Sequence, residues 1–192
     1  PGSAGTGTTK ATKQEQQPAS AEITEVAPGV LRLQLPIDLP GLGHVNTYLL
    51  EDGDGVALVD PGLPGEASWN ALGSRLEAAG VPVARVHTVF VTHSHPDHFG
   101  AAGLLAETTG ARIVASETFK TWFDAFDFAG ESLDDDLDDT DPNLPWNIKA
   151  PWGSPIDDTV PQHRKAVMQR FRAALEWFRP PHPSLRLADS AP

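Results

Sequence analysis

Three of the chain's seven histidines and one aspartate fall within six positions, in the stretch Thr92-His93-Ser94-His95-Pro96-Asp97-His98-Phe99-Gly100. On an extended segment, side chains two apart face the same way, so His93 and His95 can converge on one ion. Pro96 then turns the backbone and lets Asp97 and His98 face a neighbouring ion. Imidazole nitrogen and carboxylate oxygen suit zinc and also iron or manganese, so the donors alone do not name the metal. The competing reading is a polar loop with incidental histidines. It is the weaker one, because a polar cluster directly after a buried strand marks a site more often than packing.

The element that must present this cluster is Val86 to Val91, a mostly apolar run of strand length interrupted by His87 and Thr88. It reads as a strand buried in a sheet. Upstream, Val30 to Leu35 alternates in strand fashion between Pro28-Gly29 and Pro36. Val45 to Glu51 and Val56 to Val59 follow as two antiparallel strands about the turn Gly53-Asp54-Gly55, the second ending at Asp60-Pro61-Gly62. Glu66 to Ala79 carries Trp69, Leu72, Leu76 and Ala79 at spacings of three and four, a helix stopped by Gly80. Phe99 to Thr109 reads as a helix ended by Gly110, and Ala111 to Ala115 as a further short strand. Strand, helix, strand, helix, strand over 56–115 predicts an α/β layered domain.

Composition bounds the rest. With 26 Asp and Glu against 14 Lys and Arg, the formal charge is -12. That argues against a duplex-binding protein, since phosphate contacts need clustered cations. The absence of Cys excludes disulfides, thiolate zinc sites and cysteine nucleophiles. No apolar run approaches the eighteen or so residues of a membrane span, and no secretory leader is visible, so a cytoplasmic location is expected. Residues 1–20 are small and polar and read as a disordered tail. Because the chain opens at Pro1 and its only Met is Met168, it reads as part of a longer product.

Taken together, Asn46-Thr47-Tyr48-Leu49-Leu50, Val59-Asp60-Pro61-Gly62 and Thr92 to Gly100 resemble the metallo-β-lactamase fold superfamily, over about residues 23–116. The resemblance implies an αββα sandwich, here its first half only (21–116). A helical and acidic insertion would follow at 117–183 and a truncated end at 184–192. It implies that His93 and His95 hold a first metal and Asp97 and His98 a second, two zinc ions by default. Asp60 resembles the family's carboxylate behind the ligands, which orients them by hydrogen bonds; a turn carboxylate is the other reading, because Asp-Pro-Gly is a turn signal by itself. Relatives with paired irons typically carry Glu where His95 stands, so His95 points to the hydrolase branch.

The chemistry implied is metal-assisted hydrolysis of a small-molecule, ester-like carbonyl in a thioester or lactone, as in glyoxalase-II-like relatives. Bound metal lowers the pKa of water from about 15.7 to about 7. Asp97 would hold an ion and accept a hydrogen bond from the resulting hydroxide. The family's third His and bridging Asp have no clear match. His182, between Pro181 and Pro183, is the only late candidate, and His163, His44 and His87 read as structural, His44 in a Gly-rich loop. The expectation is therefore a chain that needs the C-terminal half of its fold and is inactive without it. A non-catalytic metal-binding or interaction remnant is the alternative. In the insertion, Phe119, Trp122, Phe123 and Phe126 form an aromatic stripe that reads as core packing. Residues 124–141 hold nine carboxylates and no Lys or Arg, and the run from Asp134 to Asp139 reads as a solvated loop lying against a basic helix at 162–179.

Overall fold

The structure is a computed structural model that describes residues 13–39, 42–121, 174 and 176–188. Seven strands form one sheet in chain order: β1 (Thr24–Ala27), β2 (Val30–Leu39), β3 (Leu42–Glu51), β4 (Val56–Val59), β5 (Val86–Val91), β6 (Arg112–Ser116) and β7 (Leu185–Leu187). The first four are antiparallel neighbours and the last four run parallel. The change of direction follows from the connections, since a tight turn reverses the chain whereas a helical crossover returns it parallel. Helix α1 (Glu66–Ala78) makes the crossover from β4 to β5, and α2 (Pro96–Phe99) with α3 (Ala102–Thr109) the one from β5 to β6.

A row of directly paired side chains, Leu31, Leu49, Leu58, Val89 and Ile113, crosses β2 to β6. Leu49, Leu58 and Val89 are fully buried, and Leu72 and Leu76 of α1 and Leu105 of α3 join the same apolar cluster. Helix α1 buries those two leucines because they lie four residues apart on one face. It ends at Ala79 and Gly80, the glycine taking φ 74°. The layered α/β reading and the antiparallel hairpin of β3 and β4 are what the structure has.

Several boundaries differ from expectation. Strand β2 runs past Pro36 to Leu39, with an irregular register between those two residues. Proline lacks the N–H a ladder bond needs, and the chain absorbs it at that irregularity. His44 lies within β3 rather than in a Gly-rich loop, 4% exposed, and its Nδ1–H donates to the Gln17 carbonyl at 2.8 Å. Residues 13–20, assigned by composition to a disordered tail, include a 3₁₀ turn at Gln14–Gln16. Polar bonds hold this segment: Arg75 donates to the Ser20 carbonyl and the Ser20 amide donates to Gln34. The helix expected over Phe99 to Thr109 divides into α2 and α3, and β1 and β7 were not anticipated.

From the expected insertion, Phe119 and Phe178 are buried and stack edge-on against Phe99. Trp122, Phe123, Phe126, the acidic run and His163 lie outside the described residues, as does most of the 162–179 helix. Among the described residues, no helix is long and apolar enough to cross a membrane.

Candidate metal centre

Two loops meet at the C-terminal ends of the parallel strands β4 and β5, the place where α/β sheets open a crevice. The first, Asp60-Pro61-Gly62, leaves β4; the second, Thr92 to Ala101, leaves β5. The Ala101 amide donates to the Gly62 carbonyl at 3.1 Å and ties them together. Pro96 opens α2 at its first turn, with its φ already helical and no amide to leave unpaired. His95 precedes it in extended conformation, and the amides of His98 and Phe99 both donate to its carbonyl. Fully buried Phe99 anchors the turn from below.

This folding gathers the three histidines. The His93 ring centroid lies 4.7 Å from that of His95 and 4.0 Å from that of His98, with His95 and His98 6.5 Å apart. Asp97 Oδ2 lies 3.5 Å from His98 Nε2. All four motif side chains are half-buried. His182, by contrast, is exposed.

The hydrogen bonds fix which nitrogens carry protons. Asp60, 6% exposed, accepts at Oδ1 from the Thr92 amide (2.9 Å) and at Oδ2 from the Thr92 hydroxyl (2.6 Å) and His98 Nδ1 (2.9 Å). Burial works against the charged form of Asp60, but the bonds from His98 and Thr92 outweigh it and hold its pKa below the usual 3.8. An ionised Asp60 only accepts, so the single Thr92 hydroxyl proton points to it. The Thr92 oxygen must then accept from His93 Nδ1, 2.9 Å away. With Nδ1 of both His93 and His98 donating, Nε2 is the nitrogen left with a lone pair in each neutral ring.

The charge balance differs between the two rings. Burial lowers the pKa of His93, and His98 and His95 lower it further, so it stays neutral and able to ligate. Burial also disfavours charge on His98, but the bond to Asp60 and the charges of Asp97 and Asp60 win, raising its pKa above 6.5. The same negative field that holds a proton there favours a cation.

Asp60, His93 and His98 offer ligand atoms that all lie within 4.8 Å of one another. Asp60 Oδ2 already accepts two hydrogen bonds, from His98 and Thr92, whereas Oδ1 accepts one and keeps a lone pair. His95 and Asp97 stand beside this group without joining it at that spacing. Thr92, which sequence reasoning passed over, proves to link Asp60 to His93.

A mixed α/β sheet with a half-buried cluster of imidazoles and a carboxylate at the strand ends defines a class of α/β protein whose strand-end site could hold a metal ion. The family model described as the metallo-beta-lactamase superfamily matches residues 40–185, and the chain belongs to that superfamily. A UPF0173 metal-dependent hydrolase of Agrobacterium fabrum is 32% identical over 87 residues, 45% of this chain and 35% of that protein. One from Methylocella silvestris is 40% identical over 75 residues, 39% of this chain and 29% of that one. Among solved structures, a metallo-beta-lactamase family protein of Thermus thermophilus is 41% identical, covering 48% of this chain and 30% of that chain at a TM-score of 0.45. The chain thus spans about a third of the length of the curated relatives it matches.

Proposed function

We propose that this chain carries the metal-holding part of a metal-dependent hydrolase that attacks a small-molecule, ester-like carbonyl and breaks the acyl C–S bond of a thioester or the acyl C–O bond of a lactone. His93, His95, Asp97 and His98 are the ligands, and Asp60 orients His98. The observation that carries the reading is the pair of Nδ1–H bonds, His93 to Thr92 and His98 to Asp60, which leaves Nε2 as the nitrogen with a lone pair in each neutral ring, that of His98 3.5 Å from Asp97 Oδ2. Membership of the superfamily and the likeness to metal-dependent hydrolases support it.

Imidazole and carboxylate donors in this number fit zinc, with iron or manganese as substitutes. A divalent ion held there supplies Lewis acidity and brings the pKa of water to about 7. The chain's own groups do the rest. Asp60 and Thr92 fix the rings, and Asp97 accepts a hydrogen bond at the centre. No side-chain nucleophile is required, in keeping with a chain without Cys. The ester-like preference rests on the resemblance to glyoxalase-II-like enzymes.

Zinc content after equilibrium dialysis, followed by assay on a thioester and a lactone series, tests this. Zinc uptake abolished by His93→Ala with His98→Ala, together with zinc-dependent hydrolysis, supports the hydrolase. Zinc uptake without turnover on either series favours the second reading, a non-catalytic metal-binding module. No uptake ends both.

A further inference from the structure

We infer that Thr47 is a positioning residue of this centre, its buried hydroxyl pinning the backbone of Asp60 so that the carboxylate faces His98 and Thr92. The inference rests on the metal-centre reading above. Its starting point is a break in the sheet. Strands β3 and β4 pair antiparallel, Glu51 with Val56 through Tyr48 with Val59. One further step would set Thr47 opposite Asp60, but β4 stops at Val59.

Asp60 stops it by turning left-handed. At φ 54° it is the one non-glycine residue with positive φ among those described. Positive φ is uncommon outside glycine, although aspartate tolerates it better than most L-residues, and such conformations gather at functional sites. Both flanking peptides are held. The Asp60 amide donates to the Phe90 carbonyl of β5 at 2.9 Å, and the Asp60 carbonyl accepts from the Thr47 hydroxyl at 2.7 Å. Thr47 has no exposed surface, so water cannot stand in for its hydroxyl. The carbonyl that leaves the ladder therefore takes a side-chain donor from the strand it has left.

With its amide fixed by β5 and its carbonyl by β3, the Asp60 Cα–Cβ bond has one direction. That direction delivers Oδ2 to His98 Nδ1. Threonine suits the place: a β-branched residue fits a strand interior, and its hydroxyl is a donor that valine, of the same shape, lacks.

The test compares the chain with Thr47→Val and Thr47→Ser. In metal-free protein, the hydrogen-bonded Nδ1–H of His98 is followed by proton–nitrogen NMR, and zinc affinity is measured separately by competition with a chromophoric chelator. The expected result is loss of that N–H signal in Thr47→Val and its return in Thr47→Ser. Zinc affinity should fall about tenfold or more in the valine variant and recover in the serine variant. A purely structural threonine would lower the melting temperature and leave the His98 signal in place. If Thr47→Val does not fold, Thr47→Ser against Thr47→Ala repeats the comparison, because those two differ by the hydroxyl alone. A His98 signal unchanged when the hydroxyl is removed overturns the inference. A wild-type chain that shows the signal, loses it in Thr47→Val and binds no zinc defeats the metal reading while the Thr47 role stands.

Discussion

His98 Nδ1 donates to Asp60 Oδ2 across 2.9 Å, joining the first turn of α2 to the end of β4. The two residues are 38 apart in the chain, and the bond exists because β4 and β5 lie side by side and parallel. It fixes the ring, selects its tautomer and places a carboxylate behind it.

Replacing Asp60 with Asn tests that bond. The amide keeps the shape of the side chain but removes the charge that both Thr92 and His98 address. Zinc affinity should fall about ten- to hundredfold, the usual effect of losing a partner behind a ligand. Competition against a chelator measures it, and an affinity within twofold of the parent would exclude the role given to Asp60.

Stability against pH offers a second check on metal-free protein. The raised pKa of His98 contributes stability that is full below about 6.5 and lost as pH rises through the folded value. The lowered pKa of Asp60 contributes above about 3.8 and is lost as pH falls through the folded value. His93, with its lowered pKa, works the opposite way to His98, so the useful quantity is the difference between the chain and Asp60→Asn, in which the largest part of that contribution, the burial of His93, cancels. The melting-temperature gap should be widest between about pH 4 and 6.5 and should narrow toward pH 8. A gap that widens on the alkaline side has the wrong sign.

Thr92→Val removes the donor to Asp60 and the acceptor of His93 Nδ1 in one step, while the backbone bond to Asp60 Oδ1 stays. A loss of about 0.5–1.5 kcal/mol in stability is expected, because Asp60 keeps its bonds from the Thr92 amide and His98 and Thr92 itself is exposed. His93 would also populate both tautomers, visible as a shift in its ring nitrogens. Thr92→Ser should restore the parent pattern; persistence of a single His93 tautomer in the valine variant would remove Thr92 from the network.

Gly100→Ala probes the packing of the two loops. A β-carbon there would collide with the Pro64 ring and the Pro96 carbonyl, with the Pro64 nitrogen 2.6 Å away. These are backbone and ring atoms that cannot swing aside, so the loops must separate, at about 1–3 kcal/mol. Urea unfolding reads the change. A stability equal to the parent's would show that the loops do not close as tightly as described.

Much of this was legible in the chain. Val56–Val59 and Val86–Val91 stand out because buried strands are continuous apolar runs, and α1 because Leu72 and Leu76 repeat at helical spacing. The two edge strands were not: β1 and β7 are short, and the side chains of Leu185–Leu187 are all exposed, so neither leaves an apolar pattern. The motif histidines are conspicuous by spacing. Asp60 was readable as an orienting carboxylate only through family resemblance, since Asp-Pro-Gly alone also describes a turn. Thr47 required one more step, the register of the β3–β4 hairpin carried to its end. The Thr92 bridge could not be read at all, because the route of a hydroxyl proton depends on which neighbour is ionised.

Proton NMR of the cobalt-loaded chain bears on the central claim most directly. If Nε2 of His93 and of His98 grips the ion, their Nδ1 protons remain in place and appear as exchangeable, strongly shifted signals, absent from the doubly substituted His93→Ala, His98→Ala chain. A spectrum without such signals, with cobalt uptake no greater than that of the double variant, would mean that these imidazoles do not share a cation.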